Sequence, residues 1–127
     1  MCQATPRATR ELPVSHEAPS LARAFLRSST CVTHQSSVLE DAVLLVSELV
    51  TNSVVYGGPP VVVAVDCDGE VLQVRVRDGS PTLPERRTAR RTDEGGRGLE
   101  LVANLSAAWG IDPEPGGKHV WFVLRDG

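Results

Sequence analysis

One stretch limits the folds open to this 127-residue chain more than any other: the long apolar run from Ser36 to Tyr56 (SSVLEDAVLLVSELVTNSVVY). Within it Leu39, Val43, Val46, Val50 and Ser53 recur at the three-and-four spacing of a buried helical face, which predicts a helix that Gly57 and Gly58 bring to an end. Ser36 or Ser37 can cap its start, with Glu40 placed to complete a capping box. A helix with so apolar a face must be covered by another layer. Two polar residues in the run are not needed by this pattern. Glu48 and Asn52 stack one turn apart on a neighbouring face, so a carboxylate and an amide point the same way. A carboxylate rarely settles beside a core without a partner, which marks the pair as the lip of a site. The plainer reading is an amphipathic helix with a solvated Glu and an Asn near its C-terminal end.

The covering layer is legible just downstream. After Pro59-Pro60, the segment PVVVAVDCDGEVLQVRVRD reads as two strands joined by Asp68-Gly69, a strong hairpin signal. Val61, Val63 and Val65 alternate on one side, and Val71 with Val74 and Val76 supply the second strand. Upstream, Leu21, Ala22, Phe25 and Leu26 form one stripe of a helix over 18–29, with Arg23 and Arg27 outside it. Glu11 to Ser15 is expected as a short edge strand, with residues 1–10 as a flexible N-terminus. Near the other end, Leu99, Leu101, Val102 and Leu105 are spaced as a helix, and Trp109–Asp112 with Lys118–Leu124 forms a closing hairpin. The expected architecture is α+β: a two-layer sandwich with a mostly antiparallel mixed sheet and about three helices on one face. Residues 11–127 would form a single domain.

Composition removes several functional classes. A net charge of −3 and a pI near 5.6 lack the basic balance that nonspecific nucleic-acid binding favours. No run of about 18 apolar residues predicts a membrane span, and the expectation is a soluble cytoplasmic protein. Cys2, Cys31 and Cys67 are too few and too scattered for a disulfide framework or a zinc site, and Cys67 alternates with Val63 and Val65 as a packing residue. His16 and His34 have no partner at ligand spacing, and Trp109 and Trp121 read as packing residues.

Residues 79–96 (GSPTLPERRTARRTDEGG) break the pattern with prolines, glycines and the solvated cluster Arg86, Arg87, Arg90 and Arg91. A connection of that length in a compact domain is commonly functional. It ends in Gly95-Gly96-Arg97-Gly98 at a helix start, where bare backbone N–H groups and a positive helix end suit phosphate and Arg97 adds a charge-assisted contact. Asp78, at a strand end, can accept a hydrogen bond from an exocyclic amine. The Asn52 side-chain oxygen is a hard ligand of the kind Mg2+ takes, and Glu48 can act as a general base. Each of these suits one part of a nucleotide.

In order and spacing these residues resemble the GHKL superfamily of ATP-binding domains, and its anti-sigma-factor serine kinase branch in particular. Glu48-Leu49-Val50-Thr51-Asn52 looks like the N box, Asp78-Gly79-Ser80-Pro81 like the first glycine box, and Gly96-Arg97-Gly98-Leu99 like the second. Trp109-Gly110 with Gly117-Lys118-His119-Val120-Trp121 resembles the closing hairpin of actinobacterial members. The resemblance runs over about residues 11 to 125 and implies a Bergerat-type fold. It further implies that Asn52 holds Mg2+ and Glu48 polarises the attacking hydroxyl or water. Asp78, with Gly79 beside it, would bind the adenine amine; Gly96 and Gly98, flanked by Arg97 and Leu99, would meet the phosphates; 79–95 would be the ATP lid. The implied cofactors are ATP and Mg2+. The implied activity is phosphorylation of a serine on a STAS-domain anti-anti-sigma partner, with sigma-factor sequestration as the other engagement and a homodimer as a common assembly. The chain departs from the superfamily where Ser80 and Thr82 stand in place of glycines and Tyr56 in place of a histidine. A non-catalytic module that binds a sigma factor or STAS protein, with a degenerate nucleotide pocket, is the alternative.

Overall fold

A computed structural model describes residues 5–29, 38–67, 71–80 and 102–125, with side chains from residue 8 onward. The elements in chain order are β1 (Thr5–Leu12), α1 (Ala18–Ser29), α2 (Leu39–Tyr56), β2 (Val61–Cys67), β3 (Val71–Asp78), β4 (Ala108–Glu114) and β5 (Gly117–Arg125), with a helical turn at 102–105 before β4. The five strands form one sheet in the order β1-β2-β3-β5-β4, and every pairing in it is antiparallel. The α+β sandwich expected from the sequence is therefore present, without the parallel pairing that a mixed sheet would need.

Alternation along the strands assigns the two faces of the sheet. Val61, Val63, Val65 and Cys67 of β2 are buried, as are Val74, Val76 and Asp78 of β3 and Lys118, Val120, Phe122 and Leu124 of β5. In β3 the buried alternation begins at Leu72, not Val71: residues two apart share a face, so Val71 falls on the side opposite Val74 and Val76. These residues meet α2 through the side that periodicity predicted, where Leu39, Val43, Val46, Val50 and Ser53 are all buried along with Ala42, Leu45 and Leu49. Burying a Val, Leu or Phe side chain is worth about 1.5–3 kcal/mol relative to exposure, so this interface dominates the stability of the domain. Cys67 is one of the packing residues in it.

α1 buries Ala18, Ala22 and Leu26 and packs Leu21 and Phe25 against the same core. It is tied to α2 by polar bonds at its rim. Arg23 Nη1 donates to Ser47 Oγ at 3.0 Å, and Arg27 Nη1 lies 3.4 Å from Glu40 Oε2. The start of α2 differs from expectation. Its N-cap position is Val38, which makes no side-chain capping bond, so Glu40 completes no box and instead faces Arg27; Ser36 and Ser37 lie outside the described residues. At the other end Gly57 N–H donates to Ser53 carbonyl oxygen, and the helix ends there as Gly57 turns to an extended conformation at φ −94°.

β1 also departs from expectation. It begins at Thr5, not Glu11, and pairs with β2 from Thr5↔Cys67 to Leu12↔Val61, with an irregularity between Thr5 and Ala8. An edge strand borrows its register from its neighbour and needs no alternation of its own. Pro6, which cannot donate to a ladder, sits within that irregular stretch on an edge.

β4, next in sequence after β3, lies at the edge of the sheet, and β5 sits between β3 and β4. Gly116, at φ +78°, makes the hairpin turn. This crossover brings Lys118 opposite Asp78 in the β3–β5 register. On the outer face of the sheet the Trp121 ring covers Gly110, where an added Cβ would lie 2.7 Å from the ring, and its Nε1 donates to Asp112 Oδ2 at 3.1 Å. Trp109 packs on the core side, so both tryptophans are packing residues. Among the described residues no helix is long and apolar enough to cross a membrane, and no three or more His, Cys, Asp or Glu side chains cluster as a metal site.

Candidate functional site

α2 supplies the first part of the site. Ser47 and Thr51 share one side of it: Ser47 Oγ donates to Val43 carbonyl oxygen at 2.9 Å and receives the Arg23 bond from α1, and Thr51 Oγ1 donates to Ser47 carbonyl oxygen at 2.8 Å. One residue further on, about 100° around the helix, come Glu48 and Asn52. They therefore share a face turned away from α1, between the core side and the exposed Leu44 and Val55. Both are half-buried, and Asn52 Oδ1 is shielded from solvent. The helix thus sets the two residues one turn apart, as the sequence spacing requires.

Asp78 supplies the second part, at the end of β3 beneath the last turn of α2. Its carboxylate is almost wholly buried, at 3% exposure. Two donors converge on Oδ1: Lys118 Nζ at 2.8 Å and Ser80 N–H at 3.0 Å. Lys118, itself 5% exposed, also donates to Ser80 carbonyl oxygen at 3.2 Å. The other oxygen, Oδ2, faces the bare Cα of Gly57, where a Cβ would lie 2.5 Å from it and 2.7 Å from Ser53 carbonyl oxygen. A carboxylate there meets the negative end of the helix dipole, which disfavours it. The Lys118 ammonium offsets both, and an ion pair this deeply buried holds only when such geometry is satisfied.

Three glycines let the backbone close around this carboxylate. Gly79 N–H donates to Gly58 carbonyl oxygen at 2.7 Å, and a Cβ on Gly79 would fall 2.1 Å from Pro59 carbonyl oxygen. On the β5 side, a Cβ on Gly117 would fall 2.1 Å from Asp78 carbonyl oxygen. The loop Gly57–Pro60, the start of the first glycine box and the start of β5 are thus pressed together at one end of the sheet, under the helix that carries Glu48 and Asn52.

Of the residues singled out from sequence, the structure ties Asp78 and Gly79 directly to the C-terminal end of α2, and Glu48 and Asn52 occupy that same helix. Gly96, Arg97, Gly98 and Leu99, with the rest of the lid, lie outside the described residues. Three participants escaped sequence reasoning: Lys118, Gly57 as the neighbour of Oδ2, and Gly117. The available signal was that Lys118 is the one lysine beside twelve arginines. Its partner could not be read, because the pair joins residues 40 apart in sequence.

The fold has counterparts in known proteins. The chain resembles the RsbU and RsbW domains of Rv1364c from Mycobacterium tuberculosis, seen in a crystal structure, with a TM-score of 0.68 and 22% identity; the match covers 96% of this chain and 32% of that one. The chain thus spans about a third of the protein it matches, and the likeness is one of fold. No curated protein matches the sequence. A family profile described as the histidine kinase-like ATPase domain matches residues 12–124, from the last residue of β1 to the penultimate residue of β5. With nearly the whole sequence covered, the chain belongs to the histidine kinase-like ATPase domain family.

Proposed function

We propose that the protein is an ATP-dependent serine kinase that acts on a STAS-type anti-anti-sigma partner and otherwise holds a sigma factor. The observation that carries this reading is the buried carboxylate of Asp78, fixed on one oxygen by Lys118 and Ser80 and set by the other against the bare Cα of Gly57, at the end of the helix bearing Glu48 and Asn52. The family match and the RsbW-containing structure support it.

The residues present fit the nucleotide and its metal. Asn52 brings a shielded amide oxygen, a hard donor of the type that holds Mg2+ alongside phosphate and water. Mg2+ bound there supplies charge neutralisation at the phosphates. Asp78 Oδ2 is the acceptor for the 6-amino group of adenine. By the family resemblance, Gly96 and Gly98 would meet the phosphates, with Arg97 adding charge. Glu48 orients the partner's serine hydroxyl and takes its proton as the new P–O bond forms at the γ-phosphorus, while the bond to the β-phosphate oxygen breaks and ADP leaves. Positioning and charge stabilisation account for most of the acceleration in such transfers. A cytoplasmic regulator, paired as a homodimer, fits this role.

Binding without transfer is the second reading, and it draws on Ser80. The superfamily glycine at that place is replaced by a residue whose N–H and carbonyl are both drawn into the Asp78–Lys118 pair, which stiffens the start of the lid. Incubation with γ-labelled ATP and candidate STAS partners separates the two. Labelling by the wild type and its loss in Glu48→Ala and Asn52→Ala, with folding retained, is expected. Equal labelling by all three rejects the assigned roles, and no heat with Mg2+ and millimolar nucleotide rejects the nucleotide site itself.

A further inference from the structure

Resting on the adenine-nucleotide reading of this site, we propose that Lys118 is a specificity-determining residue: it occupies the carboxylate oxygen of Asp78 that a guanine base would need. A carboxylate offers about four lone-pair positions, two on each oxygen. On Asp78 both positions of Oδ1 are taken, by Lys118 Nζ at 2.8 Å and by Ser80 N–H at 3.0 Å. Lys118 is anchored a second time on Ser80 carbonyl oxygen at 3.2 Å and is 5% exposed, so it is not displaced without breaking two bonds inside the protein. Only Oδ2, which lies against the bare Cα of Gly57, has positions left to give.

That leaves a single acceptor facing the base. The 6-amino group of adenine presents one in-plane N–H to such a site and is satisfied by one oxygen. Guanine presents its ring N–H and its 2-amino N–H side by side, a pair that a carboxylate takes with both oxygens together. With Oδ1 already filled, the second guanine N–H meets an oxygen with no position to give, and a buried donor is left unmet. Leaving a polar group unpaired in a desolvated site is how proteins reject a near-isostere strongly. Lys118 thus acts on the base through Asp78, by removing an acceptor, in addition to balancing its charge. A purely structural cation would weaken or preserve the binding of all purines alike.

The test compares ATP, GTP and ITP in competition against a bound fluorescent adenine nucleotide, with Mg2+ present. ITP differs from GTP only in lacking the 2-amino group, so their ratio reports whether a second N–H finds an acceptor. In the wild type, GTP and ITP are expected to bind more weakly than ATP, and GTP no better than ITP, because its 2-amino group is a donor left unmet. In Lys118→Met, which empties one position on Oδ1, GTP is expected to gain on ITP by about tenfold or more. Lys118→Arg, which keeps a donor on that oxygen, should restore the wild-type order. A wild-type preference of about tenfold for GTP over ITP, or a GTP-to-ITP ratio unchanged in Lys118→Met, overturns the assignment. The wild-type comparison decides without any variant having to fold. Failure of all three nucleotides to compete removes the underlying nucleotide reading instead, and is recognisable as such.

Discussion

Breaking the Asp78–Lys118 pair from one side should cost far more than removing it whole. Both side chains are sealed in, with 4% and 7% of their surfaces exposed, and Nζ sits 2.8 Å from Oδ1. Asp78→Ala strands an ammonium, with the Ser80 carbonyl as its remaining acceptor, and Lys118→Met strands a carboxylate beside the C-terminal end of a helix. Each single substitution should lower stability by about 3–5 kcal/mol, the range for an uncompensated buried charge. Domains of this size hold about 5–15 kcal/mol in total, so each variant remains folded at low temperature with a large share of its margin lost. At about 3–5 °C per kcal/mol for a chain of this length, Tm should fall by about 10–20 °C. The double variant Asp78→Ala with Lys118→Met leaves no net charge behind, and its loss should be well below the sum of the two single losses. Urea titrations of the four proteins give the coupling energy directly. Single variants that each cost under about 1 kcal/mol, or costs that simply add, would refute the claim that the ion pair organises this end of the sheet.

Two further predictions concern packing. Gly79→Ala drives a methyl into Pro59 carbonyl oxygen, a backbone atom that cannot rotate away, whereas at Gly58 the nearest atom to an added Cβ is 3.9 Å distant. Gly79→Ala should therefore lose about 1–3 kcal/mol or more and Gly58→Ala should differ little from the parent, as thermal denaturation of the two would show. Phe122→Ala empties the centre of the interface between sheet and helices, at 0% exposure, and should cost about 3–5 kcal/mol in chemical denaturation.

How far the sequence could carry this description depended on the range of each interaction. The buried face of α2 was legible because helical periodicity is local and its apolar residues have no competing assignment. The β2–β3 hairpin was legible from its two-residue turn and valine alternation, though reading Val71 as inward overlooked that Leu72 continues the strict period of two through Val74 and Val76. β1 was truncated in the reading because TPRATREL carries no pattern of its own; its hydrogen bonds come from β2, and an edge strand can be as polar as its solvent side requires. The expected capping box failed because the helix starts at Leu39 with Val38 in the cap position, which has no side-chain acceptor and leaves Glu40 one residue short of the box position; Glu40 lies instead near Arg27 of α1. At the site, Glu48, Asn52 and Asp78 stood out as polar residues that their own elements did not need. Lys118 did not, since a lysine opening a strand is unremarkable until the crossover sets β5 beside β3 and the register fixes which residue it meets.

The solitary lysine has a practical consequence. In a chain otherwise charged by arginine, the only side-chain primary amine is locked inside the fold at 5% exposure. Acylating reagents can reach that nitrogen only when the β3–β5 end of the molecule parts, so the rate at which it is modified becomes a built-in clock for local opening. Any molecule that settles against Asp78 and holds that end shut will slow the clock, whether or not a phosphate is ever transferred.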